Sequence, residues 1–141
     1  MRLKKIFNSG QIINDALYSQ LIELDKICFP GCANEFKDNR DWWVIEDKGT
    51  IVAYCGSLYF DKFCMFNRAW VNRNYRGQGW QRRMIKKRIE QARQNKCKKV
   101  ITYTLINNQV SSNNLIKMGF LLYEPEWKYV GSEVNYFIKS V

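Results

Sequence analysis

Apolar positions recur along this chain in two rhythms, one near 3.6 residues and one near two, and their alternation marks out its elements. Leu17, Leu21, Leu24 and Cys28 share one helical face, so Asp15 to Cys28 reads as a helix with Asn14 as N-cap and Phe29-Pro30-Gly31 as its end. A polar, irregular stretch from Cys32 to Arg40 follows. Asp41-Trp42-Trp43-Val44-Ile45 reads as a strand, Glu46-Asp47-Lys48-Gly49 as a hairpin turn, and Thr50 to Phe60 as a second strand rich in β-branched and aromatic residues. Asp61-Lys62 turns the chain into a third strand, Phe63 to Val71. Gln78 to Asn95 predicts the clearest helix: Trp80, Met84, Ile85, Ile89 and Ala92 lie on one broad face, with Arg82, Lys86 and Arg93 on another. Arg88 falls inside the apolar sector, where its guanidinium must snorkel or find a carboxylate. Lys99 to Ile106 is apolar at both parities, as in a strand covered on both faces. Gln109 to Met118 reads as a short helix capped by Asn108 and ended by Gly119. Phe120 to Tyr123 and Val134 to Ile138 finish the chain as strands around a loop with Pro125 and Gly131. The order predicts an α+β domain with helices on a mixed sheet.

Length and composition agree with one globular domain over residues 1–141: the chain is 46% hydrophobic and 15% aromatic. No apolar run approaches the ~20 residues needed to span a membrane. The basic N-terminus, Met1 to Ser9, is followed by no apolar signal-peptide core, so a soluble cytoplasmic protein without a membrane partner is expected.

Chemistry is bounded first by what is missing. With no histidine in the chain, histidine-based nucleophile systems, HExxH metal sites and imidazole general bases are excluded. Proton transfer is left to a carboxylate, a tyrosine, a cysteine or water. The five cysteines are odd in number and mostly scattered; Cys28 and Cys32 alone do not complete a tetrahedral metal site, and reduced, largely buried thiols without metal are the expectation. The net charge of +10 is concentrated: eleven cations between Arg73 and Lys99 stand against the single acid Glu90. Such a stretch favours an anionic partner (a polyphosphate cofactor, nucleic acid or an acidic protein) or serves as a solvated face that aids solubility.

The most informative segment joins the third strand to the long helix, Val71-Asn72-Arg73-Asn74-Tyr75-Arg76-Gly77-Gln78-Gly79-Trp80. A strand end, a glycine turn and an uncrowded helix start aim several backbone N–H groups and a helix dipole at one spot, where phosphate fits. Arg76 adds a fixed positive charge. Further along comes Asn108-Gln109-Val110-Ser111-Ser112-Asn113-Asn114-Leu115, running on to Gly119-Phe120. Together, Arg-Gly-x-Gly opening a helix and Asn-x-x-Ser-x-x-Asn-Leu ending in Gly-Phe resemble the GNAT (Gcn5-related N-acetyltransferase) superfamily. The resemblance is firm from Trp42 to Phe120 and is supported by the helix ending in Phe29-Pro30 and the double tryptophan before a hairpin.

The resemblance implies the GNAT (acyl-CoA N-acyltransferase) fold, a mixed, mostly antiparallel twisted sheet flanked by helices. It also implies transfer of an acetyl group from acetyl-CoA to a primary amine of a small molecule, protein or peptide by direct attack in a ternary complex. The cofactor diphosphate would rest on the amides of Arg76, Gly77, Gln78, Gly79, Trp80 and Gln81. The pantetheine arm would run along Trp70 and Val71, and Asn108, Ser111 and Asn114 would fix the far side. Arg82, Arg83 or Lys86 could meet the 3′-phosphate. Homodimers are common among such proteins.

Two positions depart from the pattern. Gln81 stands where Gly or Ala is usual, and Leu115 where many members carry a tyrosine that protonates the leaving thiolate. Tyr123, Tyr103 or water is then the proton source, or none is needed. The strand Phe63 to Val71 also lacks the glutamate many relatives use as base, leaving Glu35, Asp38 and Asp61, with Glu35 preferred because the loop after the first helix borders the acceptor in this superfamily. Trp42, Trp43, Tyr54 and Tyr59 are candidates for an acceptor pocket or for the core. Two other readings stay open: an acyltransferase acting on nucleic acid or an RNA-linked aminoacyl group, and a catalytically silent module that binds CoA or nucleic acid.

Overall fold

The computed structural model describes residues 1–32, 34–131 and 133–141; Ala33 and Ser132, in the two predicted loops, lie outside the described residues. The elements run β1 (Leu3–Asn8), β2 (Gln11–Ile12), α1 (Asp15–Cys28), β3 (Arg40–Asp47), β4 (Thr50–Tyr59) and β5 (Phe63–Val71). A 3₁₀ turn (Arg73–Tyr75) then leads into α2 (Trp80–Gln94), β6 (Lys99–Leu105), α3 (Gln109–Lys117), β7 (Leu121–Leu122) and β8 (Val134–Ser140). The strands form one eight-stranded sheet in the order β2-β1-β3-β4-β5-β6-β8-β7. Every neighbouring pair is antiparallel except β5–β6, whose parallel crossover is carried by α2.

Helix α1 covers one face of the sheet. Leu17 and Leu21 pack there with Ile6, Trp42, Val44, Ile51 and Tyr54. Helices α2 and α3 cover the other, where Ile85, Ile89, Ala92 and Leu115 meet Cys64, Phe66, Val100, Phe120 and Phe137. The strand period of two sends the adjacent tryptophans to opposite sides: Trp42 faces α1, while Trp43 packs with Trp80 and Met84 on the α2 face. Trp42, Trp43 and Tyr54 are all fully buried, so they are core side chains and form no acceptor pocket. Tyr59 points its hydroxyl into the protein, donating to Asp41 Oδ2 at 2.8 Å.

The β3–β4 hairpin turns on Lys48 and Gly49 alone, with φ of +50° and +84°. Both central residues lie in the left-handed region, as in the two-residue turns that match strand twist. Two expectations are corrected. β1 and β2 form a sheet edge not foreseen before α1. Arg88 neither snorkels nor meets a carboxylate: only 2% exposed, it donates from Nη1 to Gly56 O at 3.2 Å and Arg68 O at 3.3 Å, and from Nε to Met84 O at 3.2 Å.

Candidate active site

Strand β5 has two unlike edges. Toward β4 it is paired from Cys64 to Val71, interrupted by a bulge in which Asn67 and Arg68 oppose Gly56 alone. Only glycine fits at position 56, since a Cβ there would lie 2.5 Å from Asn67 Oδ1 and 2.8 Å from the Trp42 ring. The Arg88 guanidinium grips this bulge through the carbonyls of Gly56 and Arg68 while stacking 4.0 Å from the Phe66 ring centre. Burial lowers its pKa below the ordinary guanidinium value, partly offset by Cys55, Cys64 and Tyr59.

Toward β6, ladder pairing covers three residues, Phe63, Cys64 and Met65 against Lys99, Val100 and Ile101, and then the strands part. Beyond the bulge the β4–β5 register makes Ala53–Val71 and Cys55–Ala69 non-hydrogen-bonded pairs, because the neighbouring Asn72 N–H donates to Val52 O at 2.7 Å. The N–H and C=O groups of Ala69 and Val71 therefore point away from β4; the Val71 carbonyl accepts from Arg76 Nε at 3.0 Å, and the others face the opening.

The chain then makes the 3₁₀ turn, fixed by Asn72 Oδ1 accepting from the Asn74 N–H at 2.9 Å and by the Tyr75 hydroxyl donating to Asp47 Oδ2 at 2.6 Å. Gly77 (φ +77°) and Gly79 (φ +84°) adopt left-handed conformations, and a Cβ on either would meet nothing within 4 Å. Gly79 caps α2 without a side-chain bond, and the first amide of the helix with an intrahelical partner is Arg83, bonded to Gly79 O at 3.2 Å. The preceding amides face open space with the positive end of the helix dipole behind them.

These features line a cleft of about 640 Å³ between β5, the start of α2 and α3. Among the proposed cofactor residues, Trp70, Val71, Arg76, Gly77, Gly79, Trp80, Gln81, Asn108, Ser111 and Asn114 all line it, while Gln78 is exposed beside it. Arg76, Arg82 and Lys117 supply positive charge, and among the described residues no lining side chain is a carboxylate. Trp80 Nε1 is buried with no hydrogen-bond partner among the described residues. Open space over two glycines, free helix-start amides, three cations and an orphaned donor together fit an extended diphosphate-bearing ligand such as a coenzyme A ester.

Gln81 occupies its unusual place by bridging the cleft. Its Nε2 donates to Ser111 Oγ at 2.9 Å, its Oε1 accepts from Asn114 Nδ2 at 2.8 Å, and Arg82 Nε donates to Asn114 Oδ1 at 3.1 Å. Asn108 caps α3, its Oδ1 accepting from the Ser111 N–H at 3.2 Å. Leu115 is turned into the core with Ile85 and Phe120.

The proposed acid and base residues lie outside this lining. Asp61 is exposed in the β4–β5 turn, at the far end of β5 and roughly 30 Å along the strand from Val71. Tyr123 pairs its hydroxyl with that of Tyr129 at 3.3 Å, in a cluster with Tyr136. Glu35 accepts from Arg40 Nε at 2.8 Å in the loop after α1. Its backbone carbonyl accepts from Trp42 Nε1 at 3.1 Å, which holds this stretch of the loop against the α1 face of the sheet. Burial is the main cause of the raised Tyr103 pKa.

A buried polar network escaped the sequence reading. Asp25 Oδ1 accepts from the Tyr54 hydroxyl at 2.7 Å and from Arg68 Nε at 3.1 Å, and Arg68 Nη2 reaches Oδ2 at 3.4 Å. Burial, then Asp25, pushes the Tyr54 pKa far up. The signal was present in the sequence: Asp25 follows Leu21 by four residues and precedes Cys28 by three, on the apolar face of α1, and Arg68 shares its parity with Cys64 and Phe66.

The family model for the acetyltransferase (GNAT) family matches residues 11–120. No curated protein matches the chain by sequence. Solved structures share the fold at low identity. An acetyltransferase from Streptococcus agalactiae is 15% identical with a TM-score of 0.76, covering 99% of this chain and 98% of its own. Tetrahymena Gcn5 is 16% identical at 0.73, covering 99% and 96%. The aminoglycoside 6′-N-acetyltransferase from Enterococcus faecium is 14% identical at 0.75, covering 99% and 97%. With most of its length matched by the family model and its sheet parted at the glycine turn, this chain belongs to the acetyltransferase (GNAT) family.

Proposed function

We propose that the protein transfers an acetyl group from acetyl-CoA to a primary amine by direct attack in a ternary complex. The observation that carries this reading is the carboxylate-free cleft in which an unpaired strand edge leads straight to a glycine turn and a helix start. The amides from Gly77 to Gln81, with the Arg76 guanidinium, would hold the diphosphate; the Arg76 N–H itself donates to Arg73 O at 3.5 Å. The outward N–H and C=O of Ala69 and the N–H of Val71 would hold the pantetheine amides as a partner strand would, while the Val71 carbonyl, bonded to Arg76 Nε at 3.0 Å, orients that guanidinium. Asn108, Ser111 and Asn114, braced by Gln81, would border the adenosine end beside Arg82 and Lys117. When bound, acetyl-CoA supplies an activated thioester carbonyl. The outward N–H of Val71 is the main-chain donor suited to negative charge developing on an oxygen.

The amine would enter from the α1 side, the side on which the loop carrying Glu35 is held by Trp42. An alkyl amine with a pKa of about 10.4 is neutral in only about one molecule in 2,500 at pH 7, a cost of roughly 4–5 kcal/mol that a base can remove. Glu35 is our candidate to receive that proton, exchanging Arg40 for the ammonium. Leu115 cannot donate to the leaving thiolate, which departs unassisted or takes a proton from solvent.

A thermal-shift titration with acetyl-CoA tests the cofactor site. At a concentration 100-fold above Kd, binding adds about 2.7 kcal/mol and raises Tm by a few degrees. Arg76→Ala and Gly79→Glu are expected to lose that rise while keeping the fold. No rise at millimolar acetyl-CoA would overturn the reading. CoA-thiol release across a panel of aminoglycoside, polyamine and peptide amines then identifies the acceptor. On that acceptor, Glu35→Gln is expected to lower kcat by at least about 100-fold with acetyl-CoA affinity unchanged.

A further inference from the structure

The cleft uses few of the chain's cations. Arg88 is buried against carbonyls, and of the exposed cations on α2 only Arg82 lines the cleft. Arg83, Lys86, Lys87 and Arg93 remain on the outer face of the helix, and Lys96 and Lys98 extend it into the following turn; all six are exposed. Among the described residues none of these six lies within 4.0 Å of a carboxylate, whereas Lys4, Lys5, Lys26, Arg40, Arg68 and Lys128 each do. Arg83 to Arg93 alone covers about 15 Å along the helix axis. Arg83 lies 4.8 Å over the Trp80 ring, but like charges at this density with no carboxylate beside them repel one another, a cost that an extended polyanion would relieve.

The rest of that face separates two kinds of polyanion. Its other exposed residues are Glu90, Gln94 and Asn95, with no exposed apolar or aromatic side chain. A protein interface draws its energy from buried aromatic and aliphatic anchors and is poor in lysine. A nucleic-acid interface needs neither anchors nor shape, because phosphate contacts and counterion release carry the affinity.

We infer that the outer face of α2 and the turn after it form a docking surface for the phosphate backbone of nucleic acid, read without regard to base sequence. Its Lys87, Arg93, Lys96 and Lys98 lie beyond the first turns of the helix and outside the cleft lining, so the surface is independent of the cofactor reading, and either can fail alone.

The test is fluorescence anisotropy of the full-length chain with three labelled probes: a 20-nucleotide single-stranded RNA, a 20-base-pair DNA duplex and a poly-glutamate of equal charge. Titrations at 50 to 200 mM NaCl are expected to show micromolar binding to at least one nucleic acid at low salt. The log–log salt slope is expected to be about −3 to −5, the value for four or five phosphates neutralised. Lys87→Glu combined with Arg93→Glu should weaken binding at least tenfold and flatten the slope by about 2, while the acetyl-CoA thermal shift stays at its parent value. Lys37→Glu combined with Lys48→Glu changes net charge equally at exposed sites elsewhere and should leave the slope intact. The inference is overturned by no nucleic-acid binding at 50 mM NaCl, by equal losses in the two double variants, or by poly-glutamate binding as tightly as RNA.

Discussion

The two edges of β5 are built from opposite principles. On the β4 side the ladder is closed, and even its bulge has its carbonyls filled by Arg88. On the β6 side three pairs hold the strands together before the backbone is left open toward a cleft lined with cations. Polar backbone is satisfied within the protein wherever the protein is dry and is left available where a ligand would complete it. Closed-side substitutions should therefore cost stability, and open-side substitutions should cost binding.

The largest expected effect is at Asp25. Replacing it by alanine removes the carboxylate from the buried Arg68 and Tyr54, which should cost about 3–5 kcal/mol. Urea unfolding would show it as a lower midpoint with unchanged slope. Arg88→Met comes next, at about 3 kcal/mol, because the carbonyls of Gly56 and Arg68 lose a charged donor deep in the protein. If Arg88 sets the bulge as well as filling it, this variant loses acetyl-CoA binding too, whereas Asp25→Asn, which keeps the shape, does so less.

A pH effect also belongs to the closed side. Burial pushes the Cys55 thiol up to about 11 and the Cys64 thiol up to about 12, against an ordinary 9.0. The unfolded chain gives up these protons above pH 9 while the folded one keeps them. Stability is then at its full value below about pH 9 and is lost as pH rises toward 11–12, by about 1.4 kcal/mol per pH unit for each thiol. Unfolding midpoints at pH 8, 9.5 and 10.5 would show the fall, and Cys55→Ala should make it shallower. The smallest effect is on the open side. Gln81→Ala removes two exchangeable polar contacts and should move stability by under about 1 kcal/mol, yet weaken acetyl-CoA several-fold by loosening α3. A large stability loss with unchanged affinity would erase the distinction between the two edges.

How far this was legible differs along the chain in the same way. The α1 and β5 boundaries follow from strong periodicity and a cap, and Asn14 does accept from the Leu17 N–H at 3.0 Å. β1 was hidden because Lys4 and Lys5 sit on successive faces, each neutralised only by tertiary partners, Glu46 for Lys4 and Asp41 for Lys5. Phe120–Tyr123 shrank to the two residues that find Ile138 and Phe137 across the strand. The glycine turn was plain from composition and spacing. The parting of β5 from β6 was not, since no residue type marks where a parallel ladder stops. Gly56 inside a strand pattern was the one clue to the bulge beside it.

The most direct measurement is amide hydrogen exchange across β5, without and with saturating CoA. The account predicts that Ala69 and Val71 exchange fast in the free protein and become strongly protected with CoA, while Cys64 and Met65 stay protected throughout. Slow exchange at Val71 in the free protein, or no change on adding CoA, would contradict it.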